Sequence, residues 1–597
     1  MKPMERSVID FRNGGALGGS AAYWEMRDYE DGGVVFREGD TADFMGVVVE
    51  GRARIELESG EVDSDAVLAR VARGEAVGEL ALLDGGVRSA TVVAEGPLRL
   101  RVLTAVALER LAVEDPVVAV EVFRGLGAAA AAKVRMANER MAAVMCDALD
   151  GEVEARVAAA RAVLPRLAAA GDAEVDALLE RLAGEVFRHA EELAALTVAV
   201  TGMGDATDKA EKNRFASVGV LGRMRGEPGT GVLGEERGGV LEIAAPAGVV
   251  FGLIPVTNPV ATAVFKALIC LKGRNVPILS FPRRAAEVGV RVDATFQQVL
   301  GAMGWPPATI QTVTHQNSRR RTEAFFRHVG VDLILATGGA SMVGAAYRSG
   351  KPAFGVGQGN APCLIATDAD LAIAAAMIVR SKTFDHGLIC GSEHNLVVAG
   401  AVREAFRAAL EAAGAAVLEA DEARRFFETI LSADGSALRR KFIGQDAATL
   451  AEAAEIRRER AILLLVVPTE VARIGSGHAL AGEKMAPVLS LFEAGSDDEA
   501  MVLCMRLLEH EGRGHTAVIH TADRGFARRF ALAMPASRIL HNTPATQGVI
   551  GLTTGLIPSL TLGCGFFGGN STTDNVTFSH LRNVKRLASH RASAVSP

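Results

Sequence analysis

Thr383-Phe384-Asp385-His386-Gly387-Leu388-Ile389-Cys390-Gly391-Ser392-Glu393 is the stretch on which the reading of this chain turns. A single cysteine stands in a turn of small residues and leads into an apolar run, Leu396-Val397-Val398. Such a turn presents a thiol at the mouth of a cleft, where its thiolate can act as a nucleophile. Ordered segments lie on both sides of it. Upstream are Ile254-Pro255-Val256-Thr257-Asn258-Pro259 and Ala336-Thr337-Gly338-Gly339; downstream are Glu483-Lys484-Met485-Ala486-Pro487 and Gly514-His515-Thr516. One cysteine proves little, whereas five motifs in order carry weight.

A chain of 597 residues exceeds one ordinary core, so two or three domains are expected. A net charge of −7 argues against a nucleic-acid partner. The longest apolar region, Val249 to Leu271, is interrupted by Pro255, Asn258, Pro259 and Lys266, which argues against a membrane span. Met1 to Ser20 contains no apolar signal-peptide core. The 6 cysteines, at 146, 270, 363, 390, 504 and 564, show no C-x-x-C spacing, so no metal site is expected and a reducing compartment is. Together these features predict a soluble, cytoplasmic, multi-domain protein.

Three compositions follow one another. From Val34 to about Val102, short β-branched runs such as Val47-Val48-Val49-Glu50-Gly51 and Ala53-Arg54-Ile55-Glu56-Leu57 alternate with turns, which predicts antiparallel strands in a small roll. From Ala105 to about Leu193 the chain is rich in Ala, Leu, Glu and Arg at helical period, predicting several helices with a break at Asp150-Gly151. After Gly229, strand and helix patterns alternate: Val249–Pro255, Val276–Ser280, Val331–Ala336 and Leu396–Val398 as strands, with a helix at Ala261–Leu271 and another from Met342. That alternation predicts parallel sheets with crossover helices.

In the first segment, Gly78-Glu79-Leu80 opens a short helix whose backbone N–H groups can face an anion. Arg88 can return a guanidinium to a phosphate, and Glu79 can accept from a ribose hydroxyl. With Phe36-Arg37-Glu38-Gly39-Asp40 and the turn Glu50-Gly51-Arg52-Ala53, this run resembles the phosphate-binding cassette of cyclic-nucleotide-binding domains over roughly residues 23 to 125. Ser89, after the arginine, resembles the form in bacterial cAMP receptors, so the resemblance implies cAMP as a regulatory ligand held by Gly78, Glu79, Leu80, Arg88 and Ser89. A roll kept only for packing or dimerisation is the alternative.

The later motifs, with Leu540-His541-Asn542-Thr543-Pro544-Ala545-Thr546-Gln547-Gly548 and Pro558-Ser559-Leu560-Thr561-Leu562-Gly563-Cys564-Gly565, resemble the aldehyde dehydrogenase superfamily and its CoA-acylating branch over roughly residues 150 to 597. The resemblance implies Cys390 as the nucleophile that adds to an aldehyde carbon. It implies Asn258, otherwise a turn asparagine, as a donor to the resulting oxyanion beside the Cys390 backbone N–H. Thr257, Ser280, Thr337, Gly338, Gly339 and Glu483 become the residues of an NAD or NADP site, with Glu483 on the nicotinamide ribose. The run Ser280-Phe281-Pro282-Arg283-Arg284 departs from the branch's usual sequence; its paired arginines suit either a 2′-phosphate or a solvated basic turn. His515 matches a histidine that assists the CoA thiol or serves the structure. His386 stands where the branch usually has asparagine, as a neighbour that lowers the thiol pKa or as a polar replacement.

Val356, in Gly355-Val356-Gly357-Gln358-Gly359-Asn360, decides the reaction class. Hydrolytic members of the superfamily carry a glutamate there to activate water, and valine cannot act as a base. The acyl-enzyme then awaits coenzyme A. The given sequence ends at Pro597 without an iron-dependent alcohol dehydrogenase half, which predicts an enzyme lacking that second activity.

The expected architecture is a cyclic-nucleotide-binding roll (23–125), a helical connector (126–150), a dinucleotide-binding part (151–383), a catalytic cysteine domain (384–560) and a return to the dinucleotide-binding and oligomerisation region (561–597), in a homo-oligomer. A cAMP-binding protein with a silent dehydrogenase fold is opposed by Cys390, Asn258 and Glu483. A hydrolytic aldehyde dehydrogenase is opposed by Val356. Acetaldehyde, a longer aldehyde and sulfoacetaldehyde all fit the sequence equally.

Overall fold

The computed structural model describes residues 20–57, 66–315 and 317–590. Residues 1–19, read above for a signal-peptide core, and the side chain of Cys146 lie outside what is described. The chain forms two compact units, Met1–Ala148 and Leu149–Pro597.

The first unit is an antiparallel roll of strands β1 (Glu25–Tyr29), β2 (Val34–Phe36), β3 (Phe44–Leu57), β4 (Ala66–Ala72), β5 (Ala76–Val77) and β6 (Thr91–Thr104). The spatial order is β1-β6-β3-β4, with β2 on β6 and β5 on β3. β3 and β6 run side by side from Phe44↔Thr104 to Glu56↔Thr91 and close over Val48, Ala53, Ala94, Leu100 and Val102. The two runs expected as separate strands are one: Glu50-Gly51 shifts the register instead of ending β3. Gly51 takes φ +87, and a Cβ there would lie 2.2 Å from the Pro97 carbonyl oxygen, so the pair makes a bulge that only glycine fits.

The roll is followed by α2 (Ala105–Glu114) and α3 (Pro116–Ala169), after the short α1 (Glu79–Asp84) between β5 and β6. Thr104 caps α2 by accepting from the Ala107 N–H at 3.1 Å. The expected break at Asp150-Gly151 is absent, because α3 runs unbroken through it; the residues read as a helical connector, 126–150, lie within the same helix. One glycine costs a helix only about 1 kcal/mol, and strong helix formers surround it.

The second unit contains two parallel sheets. After β7 (Gly231–Val232) and β8 (Val240–Pro246) come β9 (Val249–Leu253), β10 (Val276–Ser280), β11 (Gln311–Val313), β12 (Leu333–Thr337) and β13 (Ala353–Val356), ordered β11-β10-β9-β12-β13. β9 and β10 are buried on both faces, as strands covered by crossover helices must be. The helix Pro259–Lys272 is buried along its whole length. Its Lys266 ammonium donates to the Leu253 and Leu335 carbonyls at 2.5 and 2.8 Å, joining the end of β9 to the middle of β12.

The next sheet has β14 (Ala361–Ile365), β15 (Glu393–Ala399), β16 (Ala415–Val417), β17 (Leu464–Pro468), β18 (Val488–Ala494), β19 (Gly514–His520) and β20 (Ala536–His541), ordered β16-β17-β18-β15-β14-β19-β20. Because β14 already belongs to it, the two sheets part within residues 357–360, upstream of the expected boundary at 383/384. The physical break is the Gly357-Gln358-Gly359 turn, which separates two short buried strands. After residue 561 the chain comes back against the first parallel sheet, with Ser571 Oγ donating to the Ala353 carbonyl of β13 at 2.7 Å, and ends as β21 (Arg582–Ala588), antiparallel to β8. No helix of the described residues is long and apolar enough to cross a membrane.

Candidate functional site

In an open parallel sheet, ligands bind beyond the carboxyl ends of the strands, where the strand order reverses. β9 is that reversal here, with β10 on one side and β12 on the other. A cavity of about 560 Å³ opens at this edge and is lined by the segments that follow all five strands. They are Leu253–Asn258, Ser280–Arg283, Asn317–Arg319 with Thr322, Thr337–Gly339 and Val356–Gln358. Leu388, Ile389, Cys390 and Glu483 come from the second sheet region to close it.

The structure therefore brings Cys390, Asn258, Thr257, Ser280, Thr337, Gly338, Gly339 and Glu483 to one cavity. Its fit to a dinucleotide is visible in two places. The Thr337 hydroxyl is buried without a hydrogen-bond partner. A Cβ on Gly338 or Gly339 would meet nothing within 4 Å, so the space above this turn is open to a ligand's backbone. Neither glycine has a positive φ; they are small for the ligand rather than for the turn.

Cys390 follows a strained turn. Asp385 (φ 48) and His386 (φ 53) are consecutive non-glycine residues in the left-handed region. The buried Asp385 carboxylate holds them there: it accepts from Lys209 Nζ at 3.0 Å, from Lys212 Nζ, and from the Asp205 N–H at 2.9 Å. Lys212 Nζ also donates to Asn258 Oδ1. That contact fixes which way the Asn258 amide faces, because a cation can only take the oxygen. Nδ2 then points toward the cysteine turn, donating to the Leu388 carbonyl at 3.4 Å. On the other side, a Cβ at Gly359 would fall 1.7 Å from the Cys390 carbonyl oxygen, so any side chain there would displace Cys390.

Burial pushes the Cys390 thiol up to about 12, with Glu483 and Cys564 adding to the rise and Arg538 opposing it. Glu483 itself is raised to about 7, chiefly by burial, and accepts from the Gly359 N–H at 3.2 Å. Val356 ends β13 in the cavity wall and brings no carboxylate.

His515 is the expected catalytic residue that the structure does not bring to the cavity. It is buried in β19, with Nδ1 2.9 Å from Thr516 Oγ1 and Nε2 without a partner. Burial lowers its pKa to about 3, so it stays neutral. His386 lies with Nδ1 2.9 Å from the Gly444 carbonyl oxygen, which makes it a polar anchor of the turn.

Two residues at the site escaped the sequence reading. Lys212 belongs to a run, Asp205 to Lys212, whose charges at helical spacing read as a solvated face. Arg538 lies in a strand that reads as ordinary core. Its guanidinium is buried beside Cys564 and Cys390, Nη1 donates to the Thr573 carbonyl at 3.2 Å, and Nε and Nη2 have no hydrogen-bond partner.

In the roll, Gly78, Glu79, Leu80, Arg88 and Ser89 cluster around α1. Gly78 caps α1 in the left-handed region, and a Cβ there would meet Arg88 Nη1 at 2.5 Å. Arg88 faces inward: Nη2 donates to the Phe44 carbonyl at 2.6 Å, Nη1 to the Gly78 carbonyl at 3.0 Å, and its guanidinium stacks on Phe36. The Glu79 carboxylate is paired with Lys133 of α3 at 2.7 Å. Leu80 and Ser89 are exposed.

Two parallel sheets flanking a dinucleotide-sized crevice, with a cysteine and an asparagine amide in its lining, define the fold of an α/β dehydrogenase. The sequence profile of the aldehyde dehydrogenase family matches residues 128–557, and the chain belongs to that family. A cyclic nucleotide-binding domain profile matches residues 26–115. The chain is 38% identical over 409 residues to aldehyde-alcohol dehydrogenase 2 of Entamoeba histolytica, covering 67% of this chain and 47% of that one, so it spans about half that relative's length. It is 34% identical over 442 residues to the acylating sulfoacetaldehyde dehydrogenase of Cupriavidus necator, covering 73% of this chain and 88% of the relative. The crystal structure of an acetylating aldehyde dehydrogenase from Geobacillus thermoglucosidasius matches with a TM-score of 0.71 and 36% identity, over 75% of this chain and 98% of its own.

Replacing Lys212 with methionine frees the Asn258 amide to turn. Steady-state rates should show kcat lower by about 10²-fold with the aldehyde KM little changed; an unaltered kcat would mean that Lys212 does not orient the oxyanion donor. With no nucleotide present, iodoacetamide labelling of Cys390, located by mass spectrometry, should accelerate about tenfold per pH unit between roughly pH 7 and 9 without a plateau. A plateau near neutrality would show a thiol already ionised at rest.

Proposed function

We propose that the chain catalyses the reversible CoA-acylating oxidation of an aldehyde, with NAD or NADP, through a Cys390 thioacyl-enzyme. The observation that carries this reading is the cavity wall at Val356. A cysteine and an oxyanion donor converge in the cavity, and the wall where hydrolytic relatives place their base is apolar. The names of the Cupriavidus and Geobacillus proteins, acylating and acetylating, support the same reaction.

The chain's own residues divide the work. The Cys390 thiol gives its proton to solvent, the one proton the net reaction releases, and its sulfur bonds to the aldehyde carbon while the carbonyl π electrons move to oxygen. Asn258 Nδ2 and the Cys390 N–H donate to that oxyanion, and Lys212 holds the amide in place. A bound NAD(P)+ supplies the hydride acceptor, which leaves a thioester on Cys390. Thr337, Gly338, Gly339, Ser280, Thr257 and Glu483 are the residues that would hold it. The CoA sulfur then bonds to the acyl carbon, the Cys390–acyl bond breaks, and the thiol is restored. His515, neutral and buried, acts in this scheme only by packing beside Arg538.

The roll adds control. Cyclic nucleotide, with cAMP favoured by Ser89, takes Glu79 and Arg88 from their present partners and so changes the environment of α3, the helix that carries Lys133. A ligand shifts such an equilibrium only by binding its two states differently.

Mixing enzyme, a short aldehyde and NAD(P)+ with and without CoA tests the chemistry. Acyl-CoA and NAD(P)H should form in equal amounts and only with CoA; free acid formed without CoA would identify a hydrolytic enzyme instead. In the roll, Lys133→Met removes the competitor for Glu79 and should tighten cAMP binding by about threefold in a calorimetric titration. Unchanged affinity would mean that Glu79 is not part of the ligand site, and turnover indifferent to bound cAMP would remove the control.

A further inference from the structure

The two strand ends farthest from Cys390 carry an unusual density of arginine. β10 runs into Ser280-Phe281-Pro282-Arg283-Arg284, and β11 is followed by Ser318-Arg319-Arg320-Arg321. Their side chains have different employments. Arg284 donates to the Thr201 carbonyl at 2.9 Å, and the buried Arg321 donates to the His315 carbonyl at 2.6 Å and pairs with Glu152. Both are structural. Arg283 lines the cavity, is exposed, and makes no hydrogen bond or ion pair among the described residues. Arg319 lines it too, with one partner, Glu323, at 3.1 Å on an exposed helix surface.

We infer that Arg283 and Arg319 form a seat for a phosphomonoester on the adenosine ribose of a nucleotide substrate, the 2′-phosphate of NADP or the 3′-phosphate of CoA. This rests on the reading that the cavity receives those nucleotides. Position supports it: the end of the strand beside the central one is where a dinucleotide fold meets the adenosine ribose. A carboxylate at that place would accept from the free ribose hydroxyls and repel a phosphate. Here the position holds Ser280, and among the described residues the only carboxylate lining the cavity is Glu483, which bonds to Gly359 beside Cys390 at the other end. Two guanidinium groups in a stretch of wall lined by no acid suit a dianionic phosphate, which each can grip through paired N–H donors. Both nucleotides carry that same group one ribose carbon apart.

Calorimetric titration of the full chain with adenosine 2′,5′-bisphosphate, adenosine 3′,5′-bisphosphate and 5′-AMP isolates the seat. One bisphosphate, or both, should bind about tenfold more tightly than 5′-AMP. Arg283→Ala and Arg319→Ala should each remove most of that advantage while leaving 5′-AMP within about twofold. Preference for the 2′-phosphate names the dinucleotide as the source, and preference for the 3′-phosphate names CoA. Equal binding of all three ligands, or an advantage that survives the double substitution, would overturn the assignment. Variants that weaken 5′-AMP as much as the bisphosphates would do so as well. The titration reads no turnover, so a failure of the proposed chemistry leaves its result standing.

Discussion

A buried carboxylate between two buried lysines organises the catalytic unit. Asp385 accepts from Lys209 and Lys212, which lie one turn apart on the helix Ala206–Arg214. Lys209 also donates to the Thr257 carbonyl at 2.8 Å, and Lys212 to the Asn258 side chain. Three segments distant in sequence are thereby locked together: a helix, the turn after β9, and the turn before the nucleophile. The left-handed pair Asp385-His386 costs about 1–3 kcal/mol per residue. It persists because breaking a buried ion cluster by removing one partner costs about 3–5 kcal/mol, an energy of the same order as the strain of the pair. The direction in which Cys390 leaves its turn follows from that balance.

Lys266 does for the sheet what the Asp385 cluster does for the turns. Its ammonium joins a carbonyl at the end of β9 to one in the middle of β12 at the reversal point, in a helix with no exposed residue. Burial lowers its pKa to about 7, as it does for Lys209 and Lys382. Lysines that read as surface residues in the sequence are here the rivets of a largely apolar interior.

That inversion explains where sequence and structure part. β10 was legible to both ends because a short, mostly apolar run between a glycine-containing turn and Pro282 leaves little choice. β9 ends two residues before the expected Pro255, since Ile254-Pro255 already turns into the cavity. Cys390, Asn258 and Glu483 were legible through motifs, each a short run with its own chemistry. Lys212 and Arg538 were not, because a lone cation in an amphipathic helix or an apolar strand carries no local mark of its distant partners. For His515 the motif left a role toward the CoA thiol and a structural role both open, and the buried ring in β19 favours the structural one. In the roll, Glu79 and Arg88 were legible as a pair, but their occupation by Lys133 and Phe44 depends on tertiary packing alone.

The half-buried Cys390 thiol has a consequence for the protein's life outside turnover. Peroxide and other soft oxidants attack the thiolate, and their rate follows its population. A sulfur held protonated by its surroundings, with its pKa raised to about 12, offers those reagents almost nothing. A resting molecule therefore presents little Cys390 thiolate to such reagents at neutral pH.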